Sequence, residues 1–274
     1  MKKIVTMQDI SCVGKCSLTV ALPVLSSMGI ETAVLPTAVL STHTMFSGFT
    51  FRDLTEDLLH IMDHWKQERF HFDALYTGYL GSIAQIDIAK RLFSEFDGLR
   101  LVDPCMADNG KLYAGFTEDF VKEMRTLCAS ADIIVPNLTE ASLLLDLPYQ
   151  ESYTEPELRH LLKSLCDLGT KTAILTGVSL SEDKLGAAAY EASSDTFSIY
   201  ETIREPESFH GTGDLWASAY LGLLLNGKSQ EDALEIACEF IRNAIHLTLT
   251  EENHNTYGVN FEEALPGLMI ASRR

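Results

Sequence analysis

Short apolar runs rich in β-branched residues alternate with stretches of helical period along most of this chain, and that alternation leaves few folds open. Ile4-Val5-Thr6-Met7 reads as a first strand, and Ser17 to Met28 as a helix closed by Gly29. Thr32 to Val39 is a second strand. Asp53 to Glu68 then carries Leu54, Leu58, Ile61, Met62 and Trp65 on one helical face. The pattern repeats with strands at Ala74 to Thr77, Leu99 to Asp103, Ile133 to Val135 and Thr172 to Thr176, and helices at Ile83 to Phe96 and Glu155 to Leu168. Ala187 to Glu191 and Thr196 to Tyr200 flank Ser193-Ser194-Asp195 as a hairpin, and two long helices, Gly213 to Leu225 and Gln230 to Thr250, finish the chain. Strand alternating with helix implies an α/β fold, with a mostly parallel central sheet, helices on both faces and an antiparallel edge at the hairpin. No internal repeat or linker interrupts the pattern, so residues 1–274 are expected to form a single domain.

Composition narrows the function. The formal charge of −18 comes from 39 acidic and 21 basic residues. Such a surface repels phosphate backbones, so no nucleic-acid partner is expected. The same field repels nucleotides, so a nucleotide site here needs local N–H donors and a metal. The six cysteines stand at 12, 16, 105, 128, 166 and 238 with no Cys-x-x-Cys pair, which reads as scattered free thiols of a reducing cytoplasm. Met1-Lys2-Lys3 leads into the first strand without a signal peptide, and no run approaches a membrane span. A cytoplasmic location and no membrane partner are expected.

Ligands of open α/β sheets bind beyond the carboxyl ends of the strands. Asp9 and Ser11 follow the first strand in this reading, Ser41-Thr42-His43-Thr44 the second and Gly78-Tyr79 the third. Asp103-Pro104 ends the fourth, Asn137 the fifth and Thr176-Gly177 the sixth. The sharpest local signal is Gly211-Thr212-Gly213-Asp214, which opens an apolar helix. Two glycines allow a tight turn that gathers N–H groups at a helix N-terminus, suited to a phosphate whose charge grows during transfer. Asp214 there is either a plain capping residue or a base for an attacking hydroxyl.

Other motifs fall away. Gly14-Lys15 lacks the first glycine and the Ser or Thr of a P-loop, and no Rossmann glycine run, protein-kinase loop or Gly-x-Ser-x-Gly elbow occurs. His60 and His64 are four apart but without a third ligand. His210 beside Gly211 carries little weight. Asp103 to Asp108 and Pro136 to Glu140 are acidic clusters able to serve magnesium, mostly through water. Asn137 with Glu140 three residues on is also close to a capping box.

Taken in order and spacing, Val102-Asp103-Pro104 with Asp108, Asn137-Leu138-Thr139-Glu140, Thr176-Gly177 and Gly211-Thr212-Gly213-Asp214 resemble the ribokinase-like superfamily. With Ser41 to Thr44, Thr77-Gly78-Tyr79 and the stretch Asp103 to Tyr113, the chain resembles the vitamin B6 kinases within it, from Met7 to at least Asn243. The resemblance implies a three-layer sandwich that uses ATP, Mg2+ and often a monovalent cation such as K+ to phosphorylate the hydroxymethyl group of pyridoxal, pyridoxine or pyridoxamine, commonly as a homodimer. It implies Asp214 as catalytic base and the N–H groups of Gly211, Thr212, Gly213 and Asp214 as an anion hole. Thr176, Gly177, Asn137 and Glu140 would serve ATP, Asp103 and Glu140 magnesium through water, and Asp9, Ser11, Thr44 and Tyr79 the substrate.

Two departures stand out. Asp9 occupies the position where pyridoxal kinases usually carry the Ser of Gln-Ser-His, and a carboxylate there suits a cationic amine, which would bias the site toward pyridoxamine. Val135 stands where many carry Thr, which costs one phosphate or cation contact. Asp9-x-Ser11 also resembles the hydroxymethylpyrimidine kinases of thiamin synthesis, which typically carry Cys in place of Asp214. A nucleotide-binding protein without turnover is the remaining alternative.

Overall fold

The computed structural model describes residues 1–273. Eleven strands are formed among them: β1 Lys3–Ser11, β2 Glu31–Leu40, β3 Phe51–Asp53, β4 Ala74–Thr77, β5 Leu99–Val102, β6 Ala107–Asp108, β7 Lys111–Leu112, β8 Ile133–Ile134, β9 Thr172–Val178, β10 Lys184–Glu191 and β11 Thr196–Ile203. The helices are α1 Leu18–Ser27, α2 Thr55–Gln67, α3 Ile83–Glu95, α4 Glu118–Ala129, α5 Leu138–Leu145, α6 Glu155–Cys166, α7 Thr212–Leu225, α8 Gln230–Leu249 and α9 Leu265–Arg273.

Nine strands make one sheet in the order β11-β10-β9-β8-β5-β4-β1-β2-β3, while β6 and β7 form a separate small hairpin. The run from β2 to β9 is parallel. β3 pairs antiparallel at one edge, and β10 and β11 at the other. The expected mostly parallel sheet with an antiparallel edge is therefore present.

Strand periodicity sorts the core into two layers. Val5, Met7, Leu75, Val102, Ile134, Ala173 and Leu175 face one way and pack against α2 to α6. Their neighbours Ile4, Ala74, Tyr76, Leu101, Ile133 and Ile174 face the other and pack against α1, α7, α8 and α9. Both sides of the central strands are thus buried, which is why these strands read as continuous apolar runs. Helix α7 is apolar nearly all round because it lies under α8, with Trp216 stacked on Tyr220 at 4.9 Å and its indole N–H donating to Cys238 Sγ at 3.4 Å. Leu75 is fully buried, so truncation to alanine would cost about 2–5 kcal/mol.

Several sequence expectations need correction. β1 runs on to Ser11, so Asp9 and Ser11 lie within the strand; a register shift against β2 between Gln8 and Ile10 accommodates them. β9 likewise runs to Val178 and includes Thr176 and Gly177. Helix α4 fills a stretch to which the pattern reading assigns no element, although Thr117 caps it and Phe120, Val121, Met124, Leu127 and Cys128 form its buried face. Among the described residues α8 is followed by a further helix, α9, which the pattern reading does not include. No helix among the described residues is long and apolar enough to cross a membrane.

Candidate active site

Asp214 lies in the first turn of α7, which Gly211 opens in the left-handed region at φ 79°. A Cβ on Gly211 would collide with the Lys15 carbonyl oxygen, so both the turn and the close approach of loop 12–17 require glycine. The first intrahelical bond here runs from Leu215 N to Gly211 O, so the preceding N–H groups have no acceptor within the helix. The Asp214 carboxyl is 8% exposed. Its Oδ2 accepts from Ser17 N at 2.9 Å, while Oδ1 has no protein partner among the described residues. Burial pushes its pKa up to about 6, against the Ser17 N–H and with the help of Asp9. A half-held carboxyl titrating just below neutrality can take a proton from an attacking hydroxyl.

Ser17 reaches Asp214 in a strained conformation, φ 49° and ψ −131°, which L-residues rarely adopt. The sequence reading missed this group because a backbone N–H has no residue signature. Cys16, beside it, is held up to about 12 by burial and then by Asp214 and Asp9, so the thiol stays protonated. That agrees with the free-thiol reading.

Asp9, from β1, is 4% exposed and accepts from Ser11 Oγ through Oδ2 at 2.9 Å. Burial raises its pKa, opposed by hydrogen bonds from Ser17 and Ser11. Asp103, just after β5, is 8% exposed, and burial followed by the charges of Glu140 and Asp214 pushes it well above the carboxylate range. The fold thus brings Asp9, Asp103, Glu140 and Asp214 to one end of the sheet.

Glu140 does two structural jobs there. Its Oε2 accepts from Asn137 N at 2.9 Å, while Asn137 Oδ1 accepts from Glu140 N at 2.9 Å, closing a capping box at the start of α5. Its Oε1 accepts from Met106 N at 3.0 Å and Ala107 N at 3.4 Å, and Asn137 Nδ2 donates to Ala107 O at 2.8 Å. Burial lifts Glu140 to about 7 even against those N–H donors. With both oxygens engaged, Glu140 would fit a magnesium ion only through water; Asp103, the more weakly tied carboxyl, would fit better. No set of three or more metal-ligating side chains is assembled among the described residues.

Tyr79, after β4, is half-buried, its ring 5.7 Å from Phe116, and burial followed by Cys105 and Asp9 raises its hydroxyl to about 12. Thr176 N donates to Pro136 O at 3.1 Å, which sets Thr176 beside Asn137; Gly177 is exposed next to it. Thr44 is exposed, whereas its neighbour His43 is buried. His43 Nδ1 accepts from Met45 N at 3.2 Å, so its Nε2 is the donor to Tyr257 O at 3.1 Å. Its ring lies 5.5 Å from that of His210. The Ser41 to Thr44 segment signalled the loop, but not that His43 ties it to the chain's last third.

The sequence profile of the phosphomethylpyrimidine kinase family matches residues 22–260. The chain belongs to this family. It is 28% identical over 268 residues to the pyridoxal kinase PdxY of Histophilus somni, covering 90% of each protein. A crystal structure from Bacteroides thetaiotaomicron, assigned as a phosphomethylpyrimidine kinase and crystallised with pyridoxal, superposes with a TM-score of 0.93 at 42% identity, covering 97% of this chain and 95% of that one. The pyridoxal kinase of Lactobacillus plantarum superposes at 0.91 with 33% identity over 98% of this chain and 97% of that one. The chain spans only 34% of the chloroplastic bifunctional thiamine biosynthetic enzyme of Arabidopsis thaliana, with 32% identity over 178 residues. The protein is a ribokinase-like phosphotransferase of the vitamin B6 kinase group.

Proposed function

We propose that this protein transfers the γ-phosphoryl group of ATP to the hydroxymethyl oxygen of a B6 vitamer, within a single kinase domain spanning residues 1–274. The observation that carries the reading is the Asp214 carboxyl: one oxygen fixed by Ser17 N–H, the other buried without a partner among the described residues, in the first turn of helix α7. Asp214 takes the proton as the hydroxyl attacks, and the N–H groups of Gly211 to Asp214 meet the growing negative charge. Thr176, Gly177 and Asn137 line the approach of the phosphates. Asp103 and Glu140 would hold magnesium through water, and the ion would supply charge neutralisation on the transferred group. Asp9, Ser11, Thr44 and Tyr79 hold the ring. A buried carboxyl at Asp9 favours a vitamer with a cationic amine, so pyridoxamine is the preferred acceptor. The resemblance to the B6 kinases supports K+ as a helper cation, a homodimer and a cytoplasmic location.

A second reading is supported by the family match and by Asp9-x-Ser11: phosphorylation of a hydroxymethylpyrimidine, whose amino group also suits Asp9. Asp214 in place of Cys ranks it lower. The experiment is ADP release from Mg-ATP with pyridoxal, pyridoxine, pyridoxamine and hydroxymethylpyrimidine in turn. Turnover confined to the pyrimidine overturns the B6 assignment, and ADP from none of them leaves a nucleotide-binding module.

A further inference from the structure

Lys15 looked in sequence like a failed P-loop lysine. The fold pairs it with the segment before α9 and not with Asp9 or Asp214. Its Nζ donates to Glu262 Oε2 at 2.8 Å and to Asn260 Oδ1 at 3.0 Å, and it stands 5.6 Å from the centre of the Phe261 ring. Its stem lies against Gly258, where a Cβ would have no room. The segment it grips is anchored: Asn260 N donates to Thr248 Oγ1 of α8 at 2.7 Å, and Val259 and Phe261 are buried in the layer shared by α1, α7 and α8.

The other end of the same loop touches the chemistry. The Lys15 carbonyl packs on Gly211, and two residues on, Ser17 donates its N–H to Asp214. Thr19 Oγ1 lies 2.9 Å from Gly14 O and 2.8 Å from Cys16 O and shares its one proton between them, which ties the two ends of that span together. Ser17 keeps an unfavourable backbone conformation, which persists only where the surroundings impose it. The Lys15 side chain is 19% exposed but that of Glu262 is 55%, so the pair adds little to stability and its effect is directional.

We propose that Lys15 is a positioning residue, which through Glu262 and Asn260 clamps loop 12–17 to the 258–262 segment and so aims the Ser17 N–H that fixes the Asp214 carboxylate. The proposal rests on Asp214 being the base. Misplacing a reacting group by a fraction of an ångström lowers turnover without altering ground-state binding.

The test compares Lys15→Met, Lys15→Arg and wild type by two readouts: steady-state kinetics, and the proton shift of the 15N-labelled Ser17 amide, with Asp214→Ala marking the unbonded position. Lys15→Met is expected to lose about tenfold or more in kcat, with both KM values within roughly twofold. Its Ser17 amide should move toward the Asp214→Ala position, while Lys15→Arg keeps most of both. Wild-type kcat with an unmoved Ser17 amide overturns the proposal, as does a loss spread over KM with the amide unmoved. If Lys15→Met does not fold, the Asn260→Ala, Glu262→Gln double variant is read the same way, and wild-type values there overturn it equally. Should the wild type turn over no acceptor, the functional reading fails while the Ser17 amide still decides whether Lys15 holds the loop.

Discussion

The main-chain N–H of Ser17 donates to Oδ2 of Asp214 at 2.9 Å, joining the loop after β1 to the first turn of α7 across 197 residues of sequence. That bond leaves one carboxylate oxygen fixed and the other without a partner among the described residues. Asparagine at 214 can still accept from Ser17 but cannot take a proton. Asp214→Asn is therefore expected to fold and to bind nucleotide, with kcat reduced by about 10²–10⁴. Isothermal titration with a non-hydrolysable ATP analogue, beside ADP release, checks both halves; near-normal kcat would remove Asp214 from the role of base.

Acidity gives a second outcome. Asp214 sits near 6 in the folded chain against an ordinary 3.8, so the folded state holds its proton more tightly than the unfolded one. The stability this provides is full below pH 3.8 and is lost as pH rises through 6. Neutral Asn escapes that loss. The melting temperature of Asp214→Asn relative to wild type should thus climb between pH 4 and 7 and level off above, by roughly 2–4 °C for each kcal/mol regained. In the wild type, kcat/KM should rise with pH along an acid limb near 6. A flat melting-temperature difference across that window contradicts the buried carboxylate.

How much of this was legible follows from what each residue contributes. The apolar runs around Val5, Leu75 and Leu101 announced a parallel sheet because they are buried on both faces. Asp9 and Ser11 seemed to lie past the strand because their side chains are polar, but β1 continues by backbone pairing, to which side-chain polarity is irrelevant. Asn137 and Glu140 were visible as a capping box, and they are one; that Glu140 also carries the turn before β6 depends on packing with Met106 and Ala107, which no local pattern encodes. The motif order singled out Asp214, whereas its partner Ser17 acts through the backbone and left no trace in residue type.

Glu140 supports the third outcome. Its two oxygens accept from Asn137, Met106 and Ala107. Gln offers one oxygen and turns an NH2 group toward N–H donors, leaving buried donors without an acceptor. Glu140→Gln should lose about 1–3 kcal/mol in urea unfolding. Because Met106 and Ala107 belong to the segment carrying Asp103, the apparent affinity for Mg-ATP should fall with it. Unchanged stability would mean that the turn before β6 does not depend on this carboxylate.

Asp9 supplies the last. It is a buried carboxyl bonded to Ser11 beside Asp214, and its only ionisable neighbour of opposite sign among those acting on it is His43, whose own pKa burial lowers. Two adjoining buried carboxyls favour a cationic group between strand β1 and Tyr79, and pyridoxamine carries one where pyridoxal carries an aldehyde. The wild type is expected to prefer pyridoxamine by kcat/KM. Serine keeps a hydrogen-bonding group at 9 but removes the charge, so Asp9→Ser should lower the pyridoxamine-to-pyridoxal ratio by about tenfold, the effect of one charge-assisted hydrogen bond. Measuring both acceptors at saturating Mg-ATP isolates the effect, and an unchanged ratio would exclude Asp9 from acceptor selection.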